Sequence, residues 1–128
     1  MVTPPLTGLV LPGVTRDSIL SLARQHESGS LLLPNLESHK LVVSERQITM
    51  SEILIASQEG RLVEAFGSGT AAVITSVEKI GYKGEDVIVP VDGGEEGDAG
   101  FGRIAGSMMK TLSEIQYGQR ESEWSWIC

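Results

Sequence analysis

The sequence predicts a mixed α/β (α+β) fold in which short strands pack with about three helices. Apolar residues recur at helical spacing in two segments, one near the start of the chain and one near its end. A third helix is indicated by Thr49 and Glu52, whose spacing is that of a capping box before the apolar run at 53–56. Runs of β-branched residues at 71–77 and 87–91 predict strands between the helices.

The first third of the chain alternates extended and helical segments. Residues 2–11 contain two adjacent prolines and several β-branched residues, which predicts an extended segment whose last three residues continue or end a strand. Thr15 is predicted to cap a helix that continues to about His26, with Ile19, Leu20 and Ala23 on its apolar face. The next segment, residues 28–40, predicts a mobile surface loop with a few buried leucines.

Strands and turns follow through the middle of the chain. Residues 41–46 predict a short strand, and residues 62–66 and 71–77 predict strands on either side of a glycine turn. Residues 82–84 form a tight connection to the strand at 87–91. Three strands are therefore expected around one glycine turn.

The last third of the chain is predicted to be a flexible acidic stretch followed by a helix. Residues 92–98 are rich in Asp, Glu and Gly. Gly60 and Gly118 are placed to end the second and third helices. Trp124 and Trp126 predict a final strand or an anchor packed on the domain. The apolar face of the third helix is expected to contain Phe101, Ile104, Met108, Leu112 and Ile115.

Composition limits the classes of function. A chain of 128 residues with 41% hydrophobic residues fits one domain. Its net charge of −7 argues against a nucleic-acid or anionic-membrane surface, because phosphates select clustered basic residues. A single cysteine, Cys128, allows no intramolecular disulfide and no four-ligand zinc site, so no metal is assigned. The sequence shows no signal peptide and no bilayer-spanning segment.

Two short turns are the strongest functional signal. Residues 11–16 read LPGVTR and residues 66–71 read FGSGTA, and each can present backbone N–H groups and a threonine hydroxyl to an anion. Each turn also has an ordinary interpretation, a well-capped helix for the first and a glycine turn between strands for the second. The pair of turns predicts a phosphate site more specifically than either one alone.

The other reactive side chains are interpreted as solvated. Lysines 40, 79, 83 and 110 are expected on the surface, because a lysine that forms a Schiff base needs a tuned setting. His26 and His39 have no metal-ligand spacing and are predicted to be exposed. No residue is assigned a catalytic role.

Six motifs in order resemble the C-terminal part of branched-chain amino acid aminotransferases, pyridoxal-phosphate enzymes of the D-alanine-aminotransferase-like fold. The resemblance covers nearly the whole chain and is weakest at residues 28–40 and 93–102. The motifs are VTPPL at 2–6, LPGVTRDS at 11–18, VSER at 43–46, FGSGTA at 66–71, YKG at 82–84 and IQYG at 115–118.

The resemblance implies transfer of the amino group of leucine, isoleucine or valine to 2-oxoglutarate with pyridoxal 5′-phosphate as cofactor. It implies that the amides of Val14 and Thr15, with the Thr15 side chain, hold the cofactor phosphate and that Thr70 completes this site. The amides of Ala71 and Thr70 would hold the substrate carboxylate. A redox-active cysteine pair of some members has no counterpart, because Ala72 and Thr75 occupy those positions.

The resemblance also implies what residues 1–128 do not contain. The family's catalytic lysine, its phosphate-binding arginine, the upstream part of the large domain and the small domain are expected before Met1, so this chain alone is predicted to be inactive. The full-length protein is expected to be a homodimer in the cytoplasm or mitochondria, with no nucleic-acid or membrane partner. The alternatives are a related transaminase or lyase of the same fold and a non-catalytic truncated paralogue that acts as a cofactor-binding or regulatory partner.

Overall fold

The structure, a computed structural model, describes residues 1–91 and 100–126 and confirms a mixed α/β fold. Three helices and six short strands lie within these ranges. In chain order they are β1 (Val2–Thr3), α1 (Val14–Ser28), β2 (Ser44–Glu45), α2 (Met50–Gln58), β3 (Phe66–Gly69), β4 (Val73–Ser76), β5 (Lys79–Tyr82), β6 (Glu85–Ile88) and α3 (Arg103–Gln116).

The described strands pair two by two. Strands β1 and β2 are parallel, whereas β3–β4 and β5–β6 are antiparallel hairpins. The expectation of three strands around one glycine turn is therefore wrong, because β5 was not predicted and pairs with β6. The second hairpin does turn at Lys83 and Gly84, with φ of 51° and 80°, the two positive values that a two-residue hairpin turn needs.

The first two predicted strands are shorter than expected. Only β1 is strand within residues 2–11, and only β2 within residues 41–46. The backbone bonds that join these segments are from Ser44 N–H to the Met1 carbonyl and from Arg46 N–H to the Thr3 carbonyl, each 3.0 Å. The parallel pairing of these two segments covers only two residues in each strand. Residues 9–11 belong to no described strand.

The start of α1 differs from the prediction, whereas the start of α2 agrees with it. Gly13 is the N-cap of α1, so Thr15 is the second helical residue and does not cap the helix. At α2 the predicted capping box is present. Glu52 N–H donates to Thr49 Oγ1 at 3.2 Å, and Thr49 N–H donates to Glu52 Oε2 at 3.0 Å.

One apolar core joins α1, α3 and β4. The apolar face predicted for α3 is confirmed at Met108, Leu112 and Ile115, which are buried, while Phe101 and Ile104 pack at the edge of the core. The buried cluster consists of Ile19, Leu22, Ala23, Leu33, Leu36, Leu41, Ile74, Ala105, Met108, Leu112 and Ile115.

His26 is buried, so the prediction that its side chain is exposed is wrong. It is only 5% exposed. Its Nδ1 accepts the Leu33 N–H at 3.0 Å, and its Nε2 lies 2.8 Å from the His39 carbonyl oxygen. The predicted surface loop with buried leucines is confirmed at Leu33 and Leu36, and His26 binds its backbone to α1. No local sequence pattern indicates this contact, because both backbone partners lie in an irregular segment.

The C-terminal end of the described chain forms a turn. The prediction of a final strand or packed anchor is wrong for Trp124 and Trp126, which are 41% and 92% exposed and belong to no strand. Residues 92–98 and Cys128, on which the sequence also carried predictions, lie outside the described residues. Within the described ranges, no helix has the length and apolar character required to cross a lipid bilayer.

Candidate functional site

The N-terminus of α1 presents backbone amides without an acceptor from the helix. The first intrahelical bond is donated by Asp17 N–H to the Gly13 carbonyl at 3.1 Å. The amides of Val14, Thr15 and Arg16 therefore lie before the hydrogen-bonded ladder. Gly13 provides no side-chain cap, and the Val14 side chain is 83% exposed. This helix end is accessible and carries the partial positive charge of the helix dipole.

The N-termini of the other two described helices are capped by the chain's own side chains. At α2 the site is taken by Thr49 and Glu52. At α3 the Glu64 carboxylate accepts two backbone bonds, from Ile104 N–H at 2.9 Å and from Ala105 N–H at 2.7 Å. Only α1, of the three helices in the described ranges, begins without such a side chain.

The second predicted turn begins later than expected. Gly67 and Gly69 belong to β3 and pair with Thr75 and Val73, so the predicted glycine turn is wrong at these two positions. The connection to β4 consists of residues 70–72, in which Thr70 and Ala71 are exposed. The two glycines are extended, since neither has a positive φ. Thr70 and Ala71, which are predicted to bind anions, thus lie at the tip of the β3–β4 hairpin.

A cleft of about 640 Å³ lies beside the start of α1, the strand β3 and α2. Its walls include Arg16, Ile19, Phe66 and Ser68, so the first turns of α1 and the strand β3 line one space. The remaining lining is mostly apolar and comes chiefly from β1, α2 and residues 61–65, with single residues from β5 and α3. The predicted site residues Val14, Thr15, Thr70 and Ala71 do not line this cleft.

Arg16 joins the open helix end to β2. Its guanidinium donates to the Pro4 carbonyl and to Glu45, each at 2.8 Å, and its side chain is 13% exposed. Arg24 donates to the other Glu45 oxygen at 2.7 Å. Hydrogen bonds from Arg16 and then Arg24 hold the pKa of Glu45 below its ordinary value. The buried Nε of Arg16 has no partner among the described residues.

The remaining reactive side chains lie away from the turns. All four lysines are exposed, as predicted. Lys79 pairs with Asp86 at 3.2 Å, and Lys83 lies 5.2 Å from the centre of the Tyr82 ring. The prediction of an exposed histidine is confirmed for His39, whose Nε2 contacts Arg103 at 3.0 Å.

Glu64 lines the cleft and caps α3, and the sequence analysis did not predict either role. It lies just before β3 and caps a helix that begins about 40 residues later in the chain, which no local pattern reveals. The available signal is Gly102 at the N-cap of α3. A Cβ at that position would lie 2.5 Å from Glu64 Oε2, so glycine leaves room for the carboxylate.

The curated proteins that this chain matches are named branched-chain-amino-acid aminotransferases. The resemblance to branched-chain amino acid aminotransferases that the motifs indicate is confirmed over nearly the whole chain. No protein-family model matches the chain.

Three relatives illustrate the extent of the similarity. The cytosolic branched-chain-amino-acid aminotransferase of Saccharomyces cerevisiae is 41% identical over 126 residues, 98% of this chain and 30% of that protein. The Dictyostelium discoideum branched-chain-amino-acid aminotransferase is 41% identical over 128 residues, 99% of this chain and 30% of that protein. The mitochondrial S. cerevisiae enzyme is 38% identical over 126 residues, 98% of this chain and 29% of that protein. The chain spans about 30% of the length of these relatives. Their cytosolic and mitochondrial names agree with the expected location.

Proposed function

We propose that this chain is the phosphate-binding and carboxylate-binding part of a branched-chain amino acid aminotransferase. Such an enzyme would transfer the amino group of leucine, isoleucine or valine to 2-oxoglutarate, giving a branched 2-oxo acid and glutamate. The observation that carries the proposal is the uncapped N-terminus of α1, within the LPGVTR motif. The similarity to three aminotransferases over nearly all of the chain supports the same function.

The donors at the two turns suit a phosphate ester. Val14 and Thr15 offer backbone N–H groups at a positive helix end, and the Thr15 hydroxyl lies on the same turn. Gly13 has open space where a Cβ would be, since nothing lies within 4 Å of that position. An anion can therefore approach the amides without displacing a side chain. Lysine is not needed for this form of phosphate binding, because the donors are the backbone itself.

Pyridoxal 5′-phosphate, when bound, would act as the electron sink of the transamination. In the proposal, Val14, Thr15 and Thr70 hold its phosphate through two backbone amides and two hydroxyls. Ala71, with the Thr70 amide, binds the carboxylate of the amino acid. The role of these residues is to fix the position of the two anions, since none of them has a side chain that could accept the substrate proton.

We further propose that the amine that binds the cofactor covalently comes from outside this chain. All four lysines are exposed, whereas a lysine that forms a Schiff base needs a setting that lowers its pKa. The upstream part of the large domain and the small domain would supply that lysine, and two full-length copies would form a homodimer. A mixture of this chain, the cofactor, leucine and 2-oxoglutarate is then expected to form no glutamate.

The phosphate site is tested by titrating the ¹⁵N-labelled chain with pyridoxal 5′-phosphate and recording amide chemical shifts. The shifts of Val14, Thr15 and Thr70 are expected to move together. Pyridoxal, which lacks the phosphate, is the matched control and should leave these amides unchanged. Equal responses to both compounds, or no response to either, would contradict the proposal.

The activity is tested in a chimaera. This chain would replace the 126 matching residues of the cytosolic S. cerevisiae relative, and leucine transamination would be followed by glutamate formation. The proposal predicts turnover that is lost when Thr70 is changed to Val, with circular dichroism as the control for folding. A folded chimaera that binds the cofactor but shows no turnover would contradict the assignment.

A further inference from the structure

We propose that Val73 is a positioning residue that holds the turn at residues 70–72 in the conformation that presents the Thr70 hydroxyl to the phosphate and the Thr70 and Ala71 amides to the carboxylate. The role of those two amides rests on the proposed function. Val73 itself touches neither anion in this proposal. It acts through the backbone of the turn that precedes it.

The backbone of Val73 adopts a conformation that its side chain disfavours. Its φ is 55°, in the left-handed region. For a β-branched residue this region is sterically costly, because both γ-carbons crowd the neighbouring carbonyl. Within the described ranges, the other two non-glycine residues with positive φ are Asn35, a residue type that tolerates it, and Lys83, which lies in a hairpin turn where such values are common. Val73 is the unusual member of the three.

The hairpin geometry explains why a left-handed residue is needed here. Gly69 pairs with Val73, which leaves three residues, 70–72, in the loop. Hairpin loops built around a type I turn end in one left-handed residue, where glycine is the usual choice, and here that residue is Val73, which directly follows the loop. Glycine would satisfy the backbone but would have no side chain to pack. The chain instead has valine at the left-handed position.

Packing of the Val73 side chain against the core offsets the energetic cost of this backbone conformation. Val73 is half-buried and packs against the core cluster, next to Ile74, which is 3% exposed. The side chain is therefore fixed to the core while the backbone beside it is held in the left-handed region. The side chains of Thr70 and Ala71, in contrast, are exposed and do not fix the loop to the core. The restraint on the loop thus comes from Val73 on one side and from the β3–β4 ladder.

The test is to measure backbone order in the turn for the 128-residue chain and three variants. Val73→Gly removes the strain and the packing together. Val73→Ala removes the packing but keeps a Cβ. Val73→Ile keeps the branched, apolar side chain and is the conservative control. For each protein, ¹⁵N relaxation gives the order parameters of residues 70–72, and thermal unfolding reports whether the fold is intact.

The wild type and Val73→Ile are expected to have order parameters near 0.85 in the turn, the value of a rigid backbone. Val73→Gly and Val73→Ala are expected to fall below about 0.6, with the helices unchanged. Their affinity for pyridoxal 5′-phosphate, from the shift of the Thr70 amide, should be about tenfold weaker because the turn must be ordered on binding. A rigid turn in both Val73→Gly and Val73→Ala would overturn the proposal, as would equal affinity in all four proteins.

Failure of the proposed function would give a different result. If the wild type does not bind pyridoxal 5′-phosphate, the assignment of the anion site is wrong. The order parameters, measured without any ligand, still decide whether Val73 restrains the turn.

Discussion

Gly13 determines whether the first turn of α1 is open to an anion. It has no side chain to accept the amides of the helix, and its φ of −70° and ψ of 140° are values that aspartate also adopts. A carboxylate at this position would bind the amides that the proposal gives to a phosphate.

Changing Gly13 to Asp is therefore expected to stabilise the fold and abolish phosphate binding. The gain should be a few tenths of a kcal/mol, because glycine is only slightly worse than aspartate as an N-cap. Urea unfolding measures the stability, and the amide shifts of Val14 and Thr15 measure binding of pyridoxal 5′-phosphate. Gly13→Asn is the matched control, which caps the helix without the negative charge and should retain more binding. Undiminished binding in Gly13→Asp would exclude these amides from the site.

His26 fixes the segment after α1 through two hydrogen bonds. Since its Nδ1 accepts the Leu33 N–H, its Nε2 carries the proton and donates to the His39 carbonyl. The change His26→Ala is expected to lower the free energy of unfolding by about 2–4 kcal/mol, from a cavity and an unpaired buried amide. Urea unfolding measures this loss. His39→Ala, at an exposed position, is the control and should change it by less than about 0.5 kcal/mol.

Among the elements, α2 begins with a capping box that contains an ionisable carboxyl group, that of Glu52. The backbone bond from Thr49, followed by the bond from Arg46, lowers the pKa of Glu52. A carboxyl group whose pKa is lower in the folded state stabilises the fold above its unfolded value and loses that contribution as the pH falls through the folded value.

Replacing Glu52 by Gln removes this titration but keeps a side chain that can complete the capping box. The variant is expected to be less stable than the wild type at neutral pH; the difference should begin to shrink as the pH falls below about 4.5 and vanish below the lowered pKa of the folded state. The measurement is the urea midpoint of both proteins across this pH range. A difference independent of pH would show that the charge of Glu52 does not stabilise α2.

The start of α3 depends on a carboxylate from another element. The change Glu64→Ala is expected to destabilise the fold by about 1–2 kcal/mol, because two amides lose their acceptor. Gly102→Ala should act through the same contact, since its Cβ would displace the Glu64 carboxylate. A double-mutant cycle by urea unfolding tests this, and the two losses should be strongly non-additive. Additive losses would show that Gly102 does not accommodate Glu64.

For the whole molecule, the N-terminal segment exposes apolar surface. Leu9 is 95% exposed and Leu11 85% exposed. The double change to Leu9→Ser and Leu11→Ser is predicted to reduce self-association without changing the unfolding temperature, because these side chains have little buried area to lose. Sedimentation velocity at several concentrations measures association. Unchanged association would show that Leu9 and Leu11 do not contribute to self-association.

The sequence predicted elements that depend on local pattern. The capping box at Thr49 and Glu52 and the apolar face of α3 were predicted because each has a fixed spacing along one helix. The β5–β6 hairpin was half predicted, through its turn at Lys83 and Gly84.

Contacts between distant segments were not predictable from local pattern. His26 was predicted to be exposed because its partners are backbone groups of an irregular loop. Thr15 was assigned as the cap because threonine is a good N-cap, but the extended φ of Gly13 let the helix begin earlier. The glycines of FGSGTA were predicted as the turn, yet strand pairing to Val73 and Thr75 places them in β3. The roles of Val14, Thr15, Thr70 and Ala71 stay predictions.

The bond between Glu64 and α3 has a consequence for the order of folding. It joins residues about 40 positions apart, and the Ser107 hydroxyl reaches the Pro34 carbonyl across 73 positions. All these contacts require closure of long loops, so α3 is expected to dock after α1 and the hairpins have formed. Until it docks, Met108, Leu112 and Ile115 are solvated, and a nascent chain in that interval would be a substrate for chaperones.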